Sequence, residues 1–468
     1  MTPVSRQSLQ AQVTAGVIFA GFVFSLAANL PGHLSYDSVV ELTEGRLAEY
    51  AGWHPPMTSW LLGLLDGILP GTALFVVLNT TLIYGGLYLL LRLTPTRSWA
   101  PAVLAALFAL TPQYMNYPGI VWKDVLFAAV SVMGFVALGA ATVDWAQPVR
   151  RTAWLATAFV LLVVAALARQ NGIIVMLTGV AAFGWIAARP SAVNVRRVAI
   201  FGGGALVATV VAFTAANVAL GTRITNISGP GRQFKLLELY DTIGMLAARP
   251  DMKLAVIDKA DPALANAIRT EGLRLYTPQR NDPLAASQPL QDAIAATPDN
   301  LLRDQWLSLI VHRPLLYLET RTDIFSWVLL TPRIDLCLPI YSGVSGPQET
   351  MDDLNMSDRW DDRDFWLELY GDHFFGTPVL QHGIFALLSL AAALLLLWRR
   401  RAADIAIAFL QIGALGYVAT FFLISIACDY RYLYCLDLAA MTGWFAIALD
   451  GSWWLERWRR PASDDGSA

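Results

Sequence analysis

The chain alternates between long apolar runs and shorter polar stretches. About ten of the runs have the roughly 17 to 25 residues that a helix needs to cross the ~30 Å hydrocarbon layer of a bilayer. They lie near residues 11–30, 73–91, 99–115, 120–141, 152–168, 171–188, 198–219, 380–398, 403–426 and 431–449. We therefore predict an all-α polytopic membrane protein with about ten transmembrane helices.

The predicted spans divide the chain into three parts. Residues 1–219 form an N-terminal transmembrane block with a first outer loop at 31–72, and residues 220–379 form an outer segment. Residues 380–468 form a C-terminal transmembrane block with a tail. A segment as long as 220–379 should have structure of its own, so we predict that it is mostly helical.

Three local patterns predict elements outside the bilayer. Residues 56–69 follow the rigid turn Trp53-His-Pro-Pro and are predicted to form a juxtamembrane helix on the outer surface. Residues 277–300 are rich in Pro, Asp, Gln and Ala, which is typical of a loop. Residues 306–330 have the pattern of one amphipathic helix that is too charged to span, so it should lie along the membrane surface.

Composition and charge add an orientation to this picture. The chain has 468 residues, of which 56% are hydrophobic and 15% charged. Arginines cluster at alternate ends of the spans, which indicates the cytoplasmic side. They are Arg6, Arg92, Arg97, Arg150, Arg151, Arg189, Arg196, Arg197, Arg399, Arg400, Arg401, Arg457, Arg459 and Arg460. We expect a bacterial inner-membrane protein with both termini cytoplasmic and with residues 31–72 and 220–379 facing the periplasm or exterior.

Two features of the outer side have alternative interpretations. Residues 13–30 have the apolar character of a secretory signal, with Ser25 and Ala27 as a small-residue cleavage pattern, but the length of the run favours an uncleaved first helix. A bridge between Cys337 and Cys428 is permitted because both are assigned to the oxidising side. Three cysteines make no disulfide framework, however, and the sequence favours free, buried thiols.

The first outer loop carries titratable groups close to a helix end. Asp37 follows Tyr36 just after the first span, and His54 precedes two prolines. An interfacial carboxylate can act as a base toward a hydroxyl or as an oxygen ligand of a divalent cation, and a histidine can add a second ligand. A helix cap for Asp37 and a hydrogen-bonded interfacial histidine are the structural alternatives.

Two further outer connections bring charge to the membrane boundary. Lys123 and Asp124 lie about one turn into a predicted span, where a charge costs free energy and is often functional, although a local ion pair would also explain them. Arg169, followed by Gln-Asn171-Gly, interrupts two apolar runs on the outer side. A guanidinium binds phosphate oxygens in a bidentate manner, so this turn is a candidate phosphate site.

The last outer turn, Cys-Asp-Tyr-Arg431-Tyr432, supplies more polar groups to the same side. Each of these sites has a structural explanation when taken alone. Independent explanations do not predict that four short connections all bring acids, bases or amides to one face. We therefore interpret the four connections as one functional site.

Together these motifs resemble those of the GT-C superfamily, the polytopic glycosyltransferases that use polyprenyl-phosphate sugars, near the aminoarabinose transferases and protein mannosyltransferases. The resemblance implies catalytic roles for Asp37 and Asp124. It also implies donor-phosphate binding by Lys123, Arg169, Asn171 and Arg431, and supporting roles for Tyr36, His54, Arg321 and Tyr432. The chain departs from relatives near the aminoarabinose transferases in having Arg-Gln-Asn-Gly where these show Lys-Gly. It also has a single aspartate in the first loop, where some oligosaccharyltransferases have paired acids.

The resemblance implies transfer of a sugar from a polyprenyl-phosphate donor to a hydroxyl of a glycan, lipid or protein acceptor, with inversion. No cofactor can be assigned, and a divalent cation, Mg²⁺ or Mn²⁺, held by Asp37, His54 or Asp124 stays open. No nucleic-acid partner is expected. The alternatives are a ligase of the same superfamily, which predicts a larger outer cavity, a transporter, which predicts repeated halves and midplane charges, and a non-catalytic assembly subunit.

Overall fold

The computed structural model describes residues 8–94, 96–188, 194–225 and 229–450, and this part of the chain is built from helices. No strand occurs within these residues, where extended segments meet only at isolated backbone bridges. Five arginines used to predict the orientation lie outside the described residues: Arg6, Arg189, Arg457, Arg459 and Arg460.

Eight helices in the described ranges are long and apolar enough to cross a membrane, which confirms the predicted all-α polytopic class. They are Leu9–Asn29, Ala73–Leu93, Lys123–Val143, Pro148–Ala168, Gln170–Ala188, Val195–Gly221, His382–Arg399 and Ala402–Ile424. In Gln170–Ala188 a 3-10 turn, Gln170–Gly172, precedes the α-helix Ile173–Ala188.

Two predicted spans are shorter in the structure. In the run 99–115 the helix Ala100–Ala109 ends before Pro112, and a separate turn, Pro112–Met115, follows. At a rise of 1.5 Å per residue, its ten residues cover only about half of the hydrocarbon layer. The last helix, Tyr434–Ala448, has 15 residues because the preceding Tyr430–Leu433 forms a 3-10 helix.

The helix Lys123–Val143 lies at the centre of the bundle. In its most apolar 18-residue window 89% of the residues are buried, against 6% for Val195–Gly221 at the periphery. It contacts Pro148–Ala168, Ala73–Leu93, Ala402–Ile424 and Tyr434–Ala448. Small residues allow this close approach of helices: Ala128, Ala129, Ala137, Gly139, Ala140 and Ala141. The central position fixes Lys123 and Asp124, at the start of this helix, against several neighbours.

The first outer loop forms two helices, Tyr36–Leu47 and Met57–Asp66, and the second confirms the helix predicted at 56–69. The two helices meet at Gly45 and Gly63, where a Cβ on Gly45 would lie 2.2 Å from the Ser59 carbonyl oxygen. The loop is tied to the bundle because His33 donates its amide to Gly119 O at 2.9 Å. These contacts place the start of Tyr36–Leu47 beside the start of Lys123–Val143.

The outer segment is helical, as predicted, and has its own hydrophobic core around Leu239, Ile243, Ile268 and Ile324. Its α-helices are Gly229–Ala248, Ile257–Ala260, Pro262–Ala267, Leu273–Leu275, Asp282–Ala285, Gln288–Ala295, Asp299–His312, Pro314–Leu330, Gln348–Asp353 and Asp362–Asp372. Two sequence predictions are wrong here. The predicted loop 277–300 contains two short helices. The predicted single helix 306–330 is two helices that meet at Arg313 and Pro314, because a proline inside a helix removes a backbone hydrogen bond and clashes with the preceding turn.

A disulfide joins Cys337 of the outer segment to Cys428, so the prediction of free thiols is wrong for this pair. Cys435 is free and buried. The three cysteines are too few to reveal a pairing by count, and only the fold brings positions 91 residues apart in the sequence together.

Arg321 anchors the outer segment to the bundle. Its buried guanidinium pairs with Asp241 at 2.8 Å. It also donates to the carbonyl oxygens of Phe422, in the membrane helix Ala402–Ile424, and of Ser425, which follows that helix. Because Arg321 is fully buried and does not line the cavity described next, its contacts are those of a structural anchor.

Candidate active site

A cavity of about 550 Å³ lies where the first outer loop, two inter-helix turns and the outer segment meet. Eight of the residues predicted from sequence line it: Tyr36, Asp37, His54, Lys123, Arg169, Asn171, Arg431 and Tyr432. The structure therefore brings together the four connections that the sequence analysis treated as one site. Asp124 lies behind the wall, 2% exposed, in contact with the arginines.

Asp37 is at the centre of this cluster. Its carboxylate lies 2.8 Å from Arg431 Nη2, 3.8 Å from His54 Nε2 and 4.0 Å from Lys123 Nζ. Burial alone would raise the pKa of Asp37, but the contact with His54 and the charges of Lys123 and Arg431 outweigh it and hold the pKa well below its usual range. Asp37 also lies in the first turn of Tyr36–Leu47, where the helix dipole favours negative charge. It is therefore ionised at neutral pH.

His54 is neutral in this environment. Burial, followed by the charge of Lys123, lowers its pKa to about 4, although contact with Asp37 acts in the opposite direction. A neutral imidazole can donate one hydrogen bond and accept another. His54 thus contributes a polar contact to Asp37 without adding a positive charge.

Lys123 lies between two carboxylates of one helix. Its ammonium is 4.0 Å from Asp37 and 3.4 Å from Glu41, which is 1% exposed. Burial raises the pKa of Glu41 to about 7, against the opposing effect of Lys123. The sequence analysis missed Glu41; its position one helical turn after Asp37 places both side chains on one face of a helix, and that spacing was the available signal.

Arg169 is held in a fixed orientation by aromatic and polar neighbours. It pairs with Asp124 at 2.8 Å, and its Nε donates to the Tyr417 hydroxyl at 3.1 Å. The guanidinium lies 5.2 Å from the ring centroid of Tyr432. Burial would lower the pKa of Arg169, but the charge of Asp124 outweighs this effect and raises the pKa above its usual range. In the same turn Asn171 donates to the Thr420 hydroxyl at 2.8 Å.

Arg431 connects the remaining acids. Besides Asp37, its Nη2 contacts Asp429 at 3.2 Å, and its guanidinium lies 4.8 Å from the ring centroid of Trp122. Its buried Nε has no hydrogen-bond partner among the described residues, and Asp124 is 4.0 Å away. A buried donor without a partner costs free energy, so an anionic oxygen accepted at this position would stabilise the site.

The outer wall comes from residues that no sequence motif indicated. They are Gln233, Phe234, Leu237, Arg280, Asn281, Asp282 and Leu338. Arg280 pairs with Asp429 at 3.5 Å and donates to Leu336 O at 3.0 Å. These positions lie in the outer segment far from the other motifs, and only the folding of that segment over the bundle places them here.

A divalent cation does not fit these carboxylates as they are arranged. Asp37 is already engaged by Lys123 and Arg431, and Asp124 by Arg169, so a dication would meet three fixed positive charges within the same contacts. Within the described ranges no three His, Cys, Asp or Glu side chains are grouped in a way that holds a metal. The predicted ligands Asp37, His54 and Asp124 instead take part in the ion-pair network.

Comparisons of the sequence with protein-family models and with curated proteins found no match. Comparison of the fold found similar solved structures. The oligosaccharyltransferase of Archaeoglobus fulgidus, crystallised with Zn and sulfate, is 14% identical, and the alignment covers 94% of this chain and 50% of that one with a TM-score of 0.41. The chain thus spans about half the length of that protein.

Two further structures were solved with lipid phosphates. The oligosaccharyltransferase AglB of Archaeoglobus fulgidus, in complex with an inhibitory peptide and a dolichol-phosphate, is 11% identical, with 95% of this chain and 51% of that one covered and a TM-score of 0.40. ArnT from Cupriavidus metallidurans, bound to undecaprenyl phosphate, is 14% identical over 92% of this chain and 77% of that one, with a TM-score of 0.36.

Proposed function

We propose that the protein is a GT-C-type membrane glycosyltransferase that moves a sugar from a polyprenyl-phosphate donor to a hydroxyl acceptor. The observation that carries the proposal is a single outer cavity in which an ionised carboxylate, Asp37, contacts Arg431 directly and lies beside Lys123. Such a transfer requires a carboxylate that orients or deprotonates the acceptor hydroxyl and cations that bind the phosphate.

The phosphate of the donor is assigned to Arg169, Arg431 and Lys123. All three line the cavity, and both guanidiniums are held by surrounding acids and aromatic rings. Negative charge builds on the phosphate as its bond to the anomeric carbon breaks. Fixed cations stabilise that charge without reorganising at the moment of reaction, which makes this the main electrostatic contribution.

Asp37 is assigned to the acceptor hydroxyl. Its low pKa makes it a weak base, so in the resting site it can accept a hydrogen bond and orient the nucleophile. A phosphate that binds Arg431 competes with Asp37 for the same guanidinium and thereby increases the proton affinity of the carboxylate. The hydroxyl oxygen then attacks the anomeric carbon from the side opposite the phosphate, and its proton passes to Asp37. The bond from the anomeric carbon to the phosphate oxygen breaks, polyprenyl phosphate leaves, and the configuration inverts.

The lipid tail of the donor has an apolar surface close to this site. A second cavity, of about 920 Å³, is lined by Leu126 and Val130 of the same helix that begins at Lys123, and by residues of the Met57–Asp66 helix such as Trp60. Its lining is mostly apolar, and it contains Arg223. A polyprenyl chain that enters laterally from the bilayer would lie against such a surface.

The same proposal includes location and partners. We infer an inner-membrane protein of a bacterium with both termini cytoplasmic and the cavity on the periplasmic side, acting on a glycan, lipid or protein. In this proposal the chain consists of an N-terminal membrane block up to residue 219, an outer segment up to residue 379, and a C-terminal membrane block. A ligase for whole lipid-linked glycans predicts a larger cavity; the ~550 Å³ observed lies in the ordinary range for small-molecule sites.

The test is sugar transfer by purified protein in nanodiscs with a panel of polyprenyl-phosphate sugars, for the wild type and for Asp37→Asn. Transfer by the wild type and none by the variant supports the proposal, and turnover that survives EDTA agrees with the poor fit of a metal. Undiminished turnover in Asp37→Asn removes the carboxylate mechanism. No turnover with any donor, together with transport in liposomes, favours a transporter instead.

A further inference from the structure

A group of buried polar side chains lies beneath the turn that carries Arg431. His382 and Asp437, both fully buried, are hydrogen-bonded at 2.8 Å between Nδ1 and Oδ1. They belong to the first turns of His382–Arg399 and Tyr434–Ala448. Ionisable groups inside a helical bundle are costly, and the proposed mechanism uses neither of them directly.

The members of this group converge on one residue, Tyr430. Its hydroxyl donates to Asp437 Oδ2 at 2.6 Å and accepts from Gln113 Nε2 at 2.9 Å. Its carbonyl oxygen accepts from His382 Nε2 at 3.0 Å, and its ring stacks on the imidazole with centroids 3.9 Å apart. Because a carbonyl oxygen can only accept, Nε2 of His382 carries a hydrogen. Both the side chain and the backbone of Tyr430 are therefore held by buried side chains of the helical bundle.

The next residue in the chain is Arg431, whose guanidinium contacts Asp37 at 2.8 Å. On the outer side the same turn is held by different contacts: Tyr430 N donates to Cys337 O, and Cys428 N donates to Gln279 O, both at 2.8 Å. The outer contacts are backbone bonds to the outer segment and hold the turn as a whole. The side-chain contacts from the bundle hold Tyr430, the first residue of the Tyr430–Leu433 turn.

We propose that Gln113, His382, Tyr430 and Asp437 form a positioning network that sets the place of the Arg431 guanidinium in the cavity. This inference rests on the proposed function in assigning Arg431 to the donor phosphate. The network touches no substrate. It acts through Arg431 by fixing the backbone that carries it, and a displacement of the guanidinium weakens a bidentate phosphate contact steeply because hydrogen bonds depend on distance and angle.

The test uses Tyr430→Phe, which removes one hydroxyl and keeps the ring stacked on His382. A matched control is Tyr84→Phe: Tyr84 is also buried, and its hydroxyl donates to Tyr114 O at 3.1 Å, which is the backbone of a residue outside the four-residue network. Undecaprenyl phosphate is the binding probe, and Arg431→Ala gives the full loss. We expect the dissociation constant to rise about tenfold in Tyr430→Phe, as when a hydrogen bond to a charged group is lost, and to stay at the wild-type value in Tyr84→Phe.

Two further measurements separate positioning from general stability. Cryo-EM structures of the wild type and Tyr430→Phe give the Arg431–Asp37 distance directly, and we expect this pair to be separated in the variant. Transfer kinetics should show a lower kcat with little change in the KM of the acceptor. Asp437→Asn, which keeps an acceptor for the Tyr430 hydroxyl, should restore part of the binding that Asp437→Ala loses.

The outcomes distinguish this inference from the proposed function. If the wild type binds undecaprenyl phosphate and Arg431→Ala does not, wild-type affinity in Tyr430→Phe overturns the network while the function stands. If the wild type binds no polyprenyl phosphate, the proposed function fails. The positioning role is then decided by cryo-EM alone, and an unchanged Arg431–Asp37 contact in Tyr430→Phe overturns it.

Discussion

At the scale of single residues, the site is defined by which charge contacts which. Asp37, Lys123 and Glu41 form a row in which one ammonium faces two carboxylates, and these two differ in pKa although they lie on the same helix. Asp37 has a second cation and a solvent-facing position; Glu41 is buried with one cation. The protonation state of each acid therefore depends on the balance between burial, which raises its pKa, and contact with cations, which lowers it.

Glu41 should make stability depend on pH. Its folded pKa of about 7 lies above the ordinary value of 4.5, so the folded state holds a proton that the unfolded chain releases, and the contribution is lost as pH rises through about 7. Glu41→Gln removes this loss. We expect the Tm of Glu41→Gln minus that of the wild type to increase by several degrees between pH 5 and pH 8 in detergent. Lys123, Asp37 and Glu44 are the charged groups that face Glu41.

Comparing the two proteins at each pH cancels the titration of other groups, such as His33 and His54, whose pKa values are lowered to about 4. Glu349→Gln, at an exposed position, is the control and should follow the wild type at every pH. A constant difference in Tm between wild type and Glu41→Gln across this range would contradict the raised pKa.

At the scale of elements, helix contacts place the chemistry. Asp37 lies in the helix Tyr36–Leu47, and His54 lies just before the helix Met57–Asp66. The two helices contact each other at Gly45 and Gly63. The helix pair thus acts as a rigid support for that wall of the cavity. The sequence predicted the second helix but not the close contact between them.

Gly45→Ala should damage both stability and activity. The added Cβ would lie 2.2 Å from the Ser59 carbonyl oxygen, which is backbone, so the two helices must move apart. Overpacking of this kind costs about 1 to 3 kcal/mol, and the shift displaces Asp37 from His54. Thermal unfolding and transfer by the purified variant are the measurements. Gly203→Ala, in a helix with nothing within 4 Å of the new Cβ, should be neutral or slightly stabilising.

The disulfide between Cys337 and Cys428 should stabilise the outer side of the site. It closes a loop of 91 residues, and in the chain-entropy description such a loop contributes on the order of 4 to 5 kcal/mol. We expect Cys337→Ser with Cys428→Ser to lower the Tm and the rate of transfer, because Asp429 and Arg431 follow Cys428 directly. A reductant should lower the Tm of the wild type alone; an equal effect on the double variant would contradict this assignment.

At the scale of the whole molecule, the proposed function requires the cavity and the outer segment to face the same side of the membrane, opposite the arginine-rich turns. The spans Lys123–Val143 and Pro148–Ala168 are joined by residues 144–147, and Arg150 lies in the first turn of the second span. The cavity lies at the other ends of these helices, at Lys123 and Arg169. Sidedness is therefore testable with two labels.

Cysteine labelling in spheroplasts provides this test. We expect a membrane-impermeant maleimide to label Glu349→Cys in intact spheroplasts and Arg150→Cys only after permeabilisation. Both side chains are exposed, and the proposed orientation puts them on opposite sides of the membrane. The wild type should give little background, since Cys435 is buried and the other two cysteines are bridged. Labelling of Arg150→Cys from outside would reverse the proposed orientation.

The sequence by itself determined the all-α membrane class of the protein and indicated eight of the residues that line the cavity. Long apolar runs dictate spanning helices because a backbone in hydrocarbon must satisfy its own hydrogen bonds. Charges at the ends of such runs stand out against that background, which is why the sequence indicates Asp37, Lys123, Arg169 and Arg431 as candidates. The same logic marks no residue whose surroundings are polar in any case, such as Arg280.

Only the tertiary structure decided the pairings. The Arg169–Asp124 and Arg431–Asp37 contacts join residues 45 and 394 positions apart, and no periodicity encodes such distances. The burial of Arg321 and the bridge between Cys337 and Cys428 depend on how the outer segment folds over the bundle. The network around Tyr430 depends on how the first turns of His382–Arg399 and Tyr434–Ala448 pack together. Local pattern reports the solvent that a segment prefers, whereas a contact between distant segments is set by packing of the whole chain.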